Sequence, residues 1–228
     1  MKRKTDFLIV GSGLYGSVLA ERIANKLNKK VIILEKRKHI GGNCYSKKDK
    51  KTNVEYHKYG THIFHTSNEK VWKYLSNFCN LNSYRHQVLS NYKDKIYQMP
   101  INLETINSFF KKNFSPDQAY KFLQKQTKKY HKKSYSNFEE KALSQIGLDL
   151  YEAFIKPYTQ KQWGKHPKNL PSTIFNRLPL RFNYREDYFN NCKYQGIPDL
   201  GYTDIFNKML SSKNIRVITN KKFEISNN

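Results

Sequence analysis

Apolar positions repeat with a strand-like period near both ends of the chain and with a helical period through its middle. Asp6-Phe7-Leu8-Ile9-Val10 is a short apolar strand that runs into Gly11-Ser12-Gly13-Leu14-Tyr15-Gly16. Leu14, Val18, Leu19, Ile23 and Leu27 then follow a helical spacing, and Val31-Ile32-Ile33-Leu34 forms a second strand ending in Glu35. A polar loop over Ser46–Asn53 leads to a short strand at Val54-Glu55-Tyr56. Asn68–Cys79 is a helix with Val71, Trp72, Leu75 and Phe78 on one face, and Tyr84–Tyr97 is a strand pair turning at Lys93-Asp94-Lys95.

From Asn102 the period is helical. Leu103, Ile106, Phe109 and Phe110 mark one helix, Ser115 and Pro116 open the next, and Asn137-Phe138-Glu139-Glu140 has capping-box spacing before a third. Gly147 separates that helix from Leu148–Ile155, and Pro157 disturbs the pattern beyond. Pro167, Pro171 and Pro179 break the following stretch into loop and short strand, before a helix at Thr203–Leu210 and a strand at Ile215–Thr219. The order predicts an α/β protein. A Rossmann-like domain spans residues 1–82 and is completed by 203–228. Antiparallel sheet segments cover 83–100 and 171–202, and a helical insertion covers 101–170.

The glycines carry the first chemistry. Gly11 permits a tight turn, Gly13 lets backbone approach a pyrophosphate, and Gly16 lets helix and strand pack closely. With Leu14 and Tyr15 in the first helical turn, the diphosphate meets amides that have no partner inside the helix. Glu35 is placed to accept hydrogen bonds from a ribose, and an acid there argues against the 2′-phosphate of NADP. Lys36 and Arg37 flank it. The glycine pair before Asn43, Gly41-Gly42, resembles FAD enzymes of the glutathione-reductase and amine-oxidase type, and favours FAD over NAD.

Charge changes the picture little. Lys and Arg total 42 against 18 Asp and Glu, a formal charge of +24. Such a field attracts anions, but the lysines are spread along the chain and no nucleic-acid module is present, so nucleic acid is not the expected partner. Cys44, Cys79 and Cys192 form no C-x-x-C, which suits a reducing cytosol rather than a disulfide framework. No apolar run approaches a membrane span and no leader precedes the first strand, so a soluble, cytoplasmic protein is expected, without membrane insertion. His57, His62 and His65 lack acidic or cysteine neighbours at metal-ligand spacing, and no metal is expected.

Several blocks together resemble the UDP-galactopyranose mutase family. They are Val10–Gly16, Glu35-Lys36-Arg37, His39–Asn43, Tyr59-Gly60-Thr61-His62-Ile63-Phe64-His65-Thr66, Tyr158-Thr159-Gln160-Lys161-Gln162-Trp163-Gly164, and Tyr194-Gln195-Gly196-Ile197-Pro198. The resemblance implies an isomerase with FAD in its reduced form, interconverting UDP-galactopyranose and UDP-galactofuranose through an adduct of the sugar with flavin N5. It places Gly60, His62 and His65 beside the flavin, with His65 also among the catalytic groups. Phe154, Tyr158, Thr159, Trp163 and Tyr188 would line the substrate pocket. Arg177 would close on the diphosphate as a catalytic and substrate-binding arginine. The small-molecule partner is UDP-galactose, and a homodimer is compatible with the resemblance.

Family members continue past the point where this chain stops, so a shortened protein is expected. It would leave apolar surface near residues 60–100 and 203–219 uncovered, hold FAD weakly and, alone, show no turnover. An amine-oxidase-like oxidoreductase and a non-catalytic nucleotide-binding remnant are the competing readings.

Overall fold

The first strand–helix–strand unit follows from its residues. Strands β1 (Phe7–Val10) and β2 (Val31–Leu34) run parallel, with Phe7 opposite Val31 and Val10 opposite Leu34. Parallel neighbours need a crossover, which helix α1 (Leu14–Lys26) supplies. Ala20 and Ile23 of α1 pack on Ile9, Val31 and Ile33. The third strand of this sheet comes from far along the chain. β9 (Ile215–Ile218) pairs with β2, Val31 opposite Ile215, and gives the order β1-β2-β9.

The computed structural model describes residues 4–177, 180–189 and 192–224. Within these, two units separate: residues 4–85 with 192–224, and residues 86–189.

The first unit adds two small antiparallel sheets to the parallel one. β3 (Ser46–Lys48) pairs with β4 (Glu55–His57), so the start of the expected polar loop is in fact strand. Lysines at 47 and 48 hide the signal, because both face water while Ser46 alone is buried. β5 (Phe64–Thr66) pairs with β8 (Tyr194–Gly196), His65 opposite Gln195. Helix α2 (Glu69–Ser76) is capped by Asn68, whose side chain accepts the N–H groups of Lys70 and Val71. Helix α7 (Tyr202–Met209) buries Tyr202, Ile205, Phe206 and Met209 against Leu75.

The apolar surface left in the open matches the expectation in part. Within 60–100, Val71, Leu89 and Ile96 are exposed, whereas the 203–209 segment is covered, and further exposure falls on β1, where Phe7, Leu8 and Val10 are 41%, 49% and 60% exposed. β1 pairs on one edge alone among the described residues.

The second unit contains the strand pair and the helices together. β6 (Val88–Tyr92) and β7 (Lys95–Met99) turn through Lys93 and Asp94, both at positive φ. Helix α3 (Leu103–Phe110) opens on a capping box from Asn102 to Thr105, and α4 (Pro116–Thr127) on one from Ser115 to Gln118. The box expected for α5 (Phe138–Leu150) forms by half. Asn137 accepts the Glu140 N–H, but the Glu140 carboxylate takes Ser136 N–H and Lys132 instead. Gly147, at φ +77°, breaks α5 internally. A π-helical turn, Tyr151–Ile155, follows and leads into α6 (Lys156–Trp163), where Pro157 sits in the first turn and does no harm. The proline-rich stretch forms 3₁₀ turns at Pro167–Asn169 and Ser172–Arg177. One core holds this unit, built on Leu103, Ile106, Leu123, Phe138, Ile146, Leu150 and Tyr151.

Candidate functional site

In the first unit the chain leaves β1 through Gly11 at φ +93°, a conformation costly for any residue with a Cβ. A Cβ on Gly16 would collide with the carbonyl oxygen of Gly11, so α1 can start this close to the turn only with glycine there. The N-terminus of α1 carries no acidic residue in its first turn and no side-chain cap at Gly13. Its amides are left for an anion. They open on a groove of about 450 Å³ lined by Gly11, Gly13, Glu35, Lys36, Arg37, Gly42 and Asn43. Leu14 and Tyr15 stand in the first turn beside it, Tyr15 84% exposed.

Glu35 is 5% exposed and already engaged. One carboxylate oxygen accepts Ser12 N–H at 2.8 Å and Ser12 Oγ–H at 2.9 Å, and the other accepts Arg37 N–H at 2.8 Å. Burial pushes its pKa upward, but the Arg37 and Ser12 hydrogen bonds outweigh burial and hold it below the ordinary carboxylate value. Of about four acceptor positions on a carboxylate, three are filled from within the loop. Ser12, fully buried, is the residue that sequence reasoning missed. It sits between two glycines, where any residue type satisfies the pattern.

The glycine pair has a structural reason of its own. Gly41 N–H donates to Ser12 O at 2.9 Å, and a Cβ on Gly42 would lie 2.8 Å from Gly13 Cα. The second glycine block thus packs on the first and forms one wall of the groove. Arg37 Nη2 donates to Asn43 Oδ1 at 2.9 Å and crosses the same wall.

Gly60, His62 and His65 stand elsewhere in this unit and do not line the groove. Gly60 has φ +101° with open space around it, so a left-handed turn, not a close contact, calls for glycine there. His62 donates its backbone N–H to His57 Nδ1 at 3.0 Å and hydrogen-bonds Gly60 O through its own Nδ1 at 2.8 Å. Burial lowers the His57 pKa and keeps that imidazole neutral, as an acceptor must be. His65 lies on β5, exposed and in register with Gln195.

In the second unit a cavity of about 310 Å³ gathers Phe154, Tyr158 and Tyr188 with His86, Met99, Ile146 and Phe175. Phe154 lies within the π-helical turn and is 6% exposed, with its ring edge-on to Tyr92, Tyr97 and Phe109 at centroid distances of 5.8, 5.0 and 5.3 Å. Tyr158, one turn on, is 53% exposed. Tyr188 donates its backbone N–H to His86 O at 3.3 Å and meets the His86 ring edge-on at 5.1 Å. Burial raises the Tyr188 phenol and lowers His86, so both are neutral near pH 7. The walls are apolar with a few polar tips, the composition of a small-molecule site.

Thr159 and Trp163 do not line this cavity. Thr159 is buried in α6 and Trp163 is 44% exposed at its end. Arg177 closes the last 3₁₀ turn, and its side chain lies outside the described residues. His86, Met99, Ile146 and Phe175 were not legible as site residues, because each reads as an ordinary core or strand position. No group of three metal-ligating side chains occurs among the described residues, and no described helix is long and apolar enough to cross a membrane.

Residues 153–228 match the sequence profile of UDP-galactopyranose mutase, and residues 9–78 match that of an NAD(P)-binding Rossmann-like domain. The chain is 44% identical over 215 residues to the dTDP-fucopyranose mutase of Escherichia coli, covering 94% of this chain and 56% of that protein. It is 37% identical over 232 residues to the UDP-galactopyranose mutase of Mycoplasma genitalium, covering 95% of this chain and 54% of the relative. The chain thus spans about half the length of the curated relatives it matches. A crystal structure of reduced UDP-galactopyranose mutase superposes with a TM-score of 0.68 at 18% identity, over 94% of this chain and 48% of that one. That likeness concerns the fold.

Proposed function

Over the half of their length that it spans, this chain belongs to the UDP-galactopyranose mutase family, and we propose that it serves the FAD-dependent interconversion of UDP-galactopyranose and UDP-galactofuranose. The observation that carries this reading is the cavity of the second unit. Phe154 and Tyr158, one helical turn apart, meet Tyr188 from a later stretch of the chain in one apolar pocket. A flat pyrimidine ring is the part of a nucleotide-sugar that such walls recognise, by stacking and by exclusion of water.

The groove of the first unit fits the ADP half of FAD. The α1 N-terminus offers amides uncapped by any side chain, Gly13 leaves room for close approach, and Arg37 adds positive charge at the rim. Glu35 has one acceptor position left for a ribose hydroxyl. Reduced flavin, when bound, supplies the nucleophile and the protein supplies position and charge. His65 and His62 are the proposed neighbours of the flavin ring. Thr159 and Trp163 are the proposed contacts to the sugar, and Arg177 the clamp on the diphosphate. Guanidinium suits that last task, because its fork grips two phosphate oxygens at once.

A dTDP-sugar is the second reading of the same chemistry. The E. coli relative named for one is 44% identical to this chain, and an apolar cavity accepts a thymine methyl group as readily as a uracil edge.

The test is an assay with UDP-galactofuranose and dTDP-fucofuranose on flavin-loaded protein, with and without dithionite. It is run on the chain as it stands and on a chimaera extended to the length of its relatives. Conversion that needs reduced flavin but consumes no reductant supports the mutase. Net oxidation of the sugar points to amine-oxidase-like chemistry, and flavin binding without conversion in either protein points to a non-catalytic remnant.

A further inference from the structure

Arg37 is held by more than its own loop. Its guanidinium carbon lies 4.4 Å from the centroid of the Tyr59 ring, while Nη2 donates to Asn43 Oδ1. Tyr59 is itself fixed. Its hydroxyl meets His39 Nε2 at 2.8 Å, and His39 Nδ1 meets Ile40 O at 2.9 Å. Since a carbonyl can only accept, Nδ1 carries the proton, and Nε2 accepts from the tyrosine O–H. The His39 ring is stacked on Tyr45 at 3.8 Å and 20°. Tyr45, His39, Tyr59, Arg37 and Asn43 therefore form one continuous chain of contacts, which reaches the groove at Arg37 and Asn43 and ties Tyr59 to the 37–45 segment.

Packing alone does not call for an aromatic residue at 59. Tyr59 is 39% exposed and belongs to none of the apolar cores. Its ring face does have a use, because a guanidinium seated over an aromatic ring is attracted by the ring quadrupole and restrained in orientation. Arg37 without that seat would have the rotamer freedom of any surface arginine, and a ligand would have to order it on binding.

We propose that Tyr59 is a positioning residue, which aims the Arg37 guanidinium into the groove so that it meets the diphosphate of an adenine dinucleotide. The inference rests on the reading of that groove as a nucleotide site. His39 and Tyr45 act behind Tyr59 by fixing the plane of its ring.

The experiment is calorimetric titration of ADP into the 228-residue chain and into Tyr59→Leu, Arg37→Ala and the double variant, with Tyr59→Phe as the conservative control. Tyr59→Leu is expected to weaken ADP binding about fivefold. Tyr59→Phe keeps the ring face and should stay within about twofold of the parent. In the Arg37→Ala background, Tyr59→Leu should have no further effect, because the seat has no occupant. A loss of the same size with and without Arg37 would overturn the proposal, since it would show that Tyr59 supports the loop in general. Equal affinity of Tyr59→Leu and parent would overturn it too. If the parent chain fails to bind ADP, the reading of the groove itself falls, and this inference with it.

Discussion

Glu35 accepts the backbone N–H of Ser12 at 2.8 Å and its hydroxyl at 2.9 Å, so the acid at the end of β2 braces the glycine loop from within. An acid that carries the loop in this way, and that is proposed to bind a ribose, has consequences beyond ligand affinity. Both groups on Ser12 are buried, and buried donors that lose their acceptor cost more than the bond itself contributes.

Glu35→Ala should therefore reduce stability as well as nucleotide binding. Two buried donors left unpaired cost roughly 2–4 kcal/mol together. Glu35→Gln keeps one acceptor oxygen and should lose less. Urea unfolding, followed by circular dichroism, reads the stability, and ADP titration reads the site. Stability unchanged in Glu35→Ala, with binding alone impaired, would mean that the hydrogen bonds to Ser12 contribute little.

Acid sensitivity should centre on Glu21. This residue of α1 is 3% exposed, accepts the Tyr74 hydroxyl at 2.7 Å and pairs with Arg22, whose guanidinium lies 4.7 Å from the Tyr74 ring. Burial raises its pKa, but hydrogen bonds from Arg22, Tyr74 and Asn25 overcome burial and hold it at about 2. A carboxyl depressed on folding stabilises the folded state above its unfolded pKa and stops doing so as pH falls through the folded value. The contribution is thus complete above pH 4.5 and lost between 4.5 and about 2, and is worth about 3 kcal/mol. Glu21→Gln should flatten the fall in unfolding free energy over that window. A slope identical to the parent would assign the acid transition to other carboxyls.

The uncovered edge of the parallel sheet should govern solubility. Phe7, Leu8 and Val10 lie on a strand paired on one side alone among the described residues, and such an edge offers a template for another chain. The chain should self-associate as its concentration rises. Leu8→Lys should suppress this while changing unfolding free energy by less than about 0.5 kcal/mol, as for an exposed position. Light scattering against concentration decides it, and a parent chain that stays monomeric throughout would contradict the expectation.

What was legible in the sequence was what neighbouring residues decide among themselves. The turn at Gly11, the crossover by α1, the acid at Glu35 and the helix start at Ser115 and Pro116 are all short-range, and each forms where its residues call for it. Contacts made across the chain were not legible. His65 pairs with Gln195 through a partner that no local period announces, and for Leu34 and Ile218 the return of residues 203–228 to the first domain was legible but the register was not. β3 was hidden because its strand is two lysines and a serine, stabilised by Glu55–His57 rather than by its own residues. The π-helical turn at Tyr151–Ile155 was invisible for a related reason. Gly147 and Pro157 bracket it and were read as breaks, whereas the burial of Tyr151, Phe154 and Ile155 keeps the chain winding between them. At the candidate site, the aromatic residues at 154, 158 and 188 were identified through family resemblance. The apolar walls that complete their cavity look like any core.

Simultaneous titration of the two nucleotides tests the central claim most directly. If the first unit holds the ADP half of a flavin cofactor and the second holds the pyrimidine of a nucleotide-sugar, ADP and UDP should bind the same molecule independently, one of each. Tyr158→Ala should abolish most UDP binding and leave ADP affinity unchanged. Tyr158 is half-exposed, so the substitution should cost no more than about 0.5 kcal/mol in stability. Arg37→Ala should do the reverse, weakening ADP and sparing UDP. Competition between the two nucleotides for a single site, or a Tyr158→Ala chain that binds UDP as well as the parent does, would contradict this account.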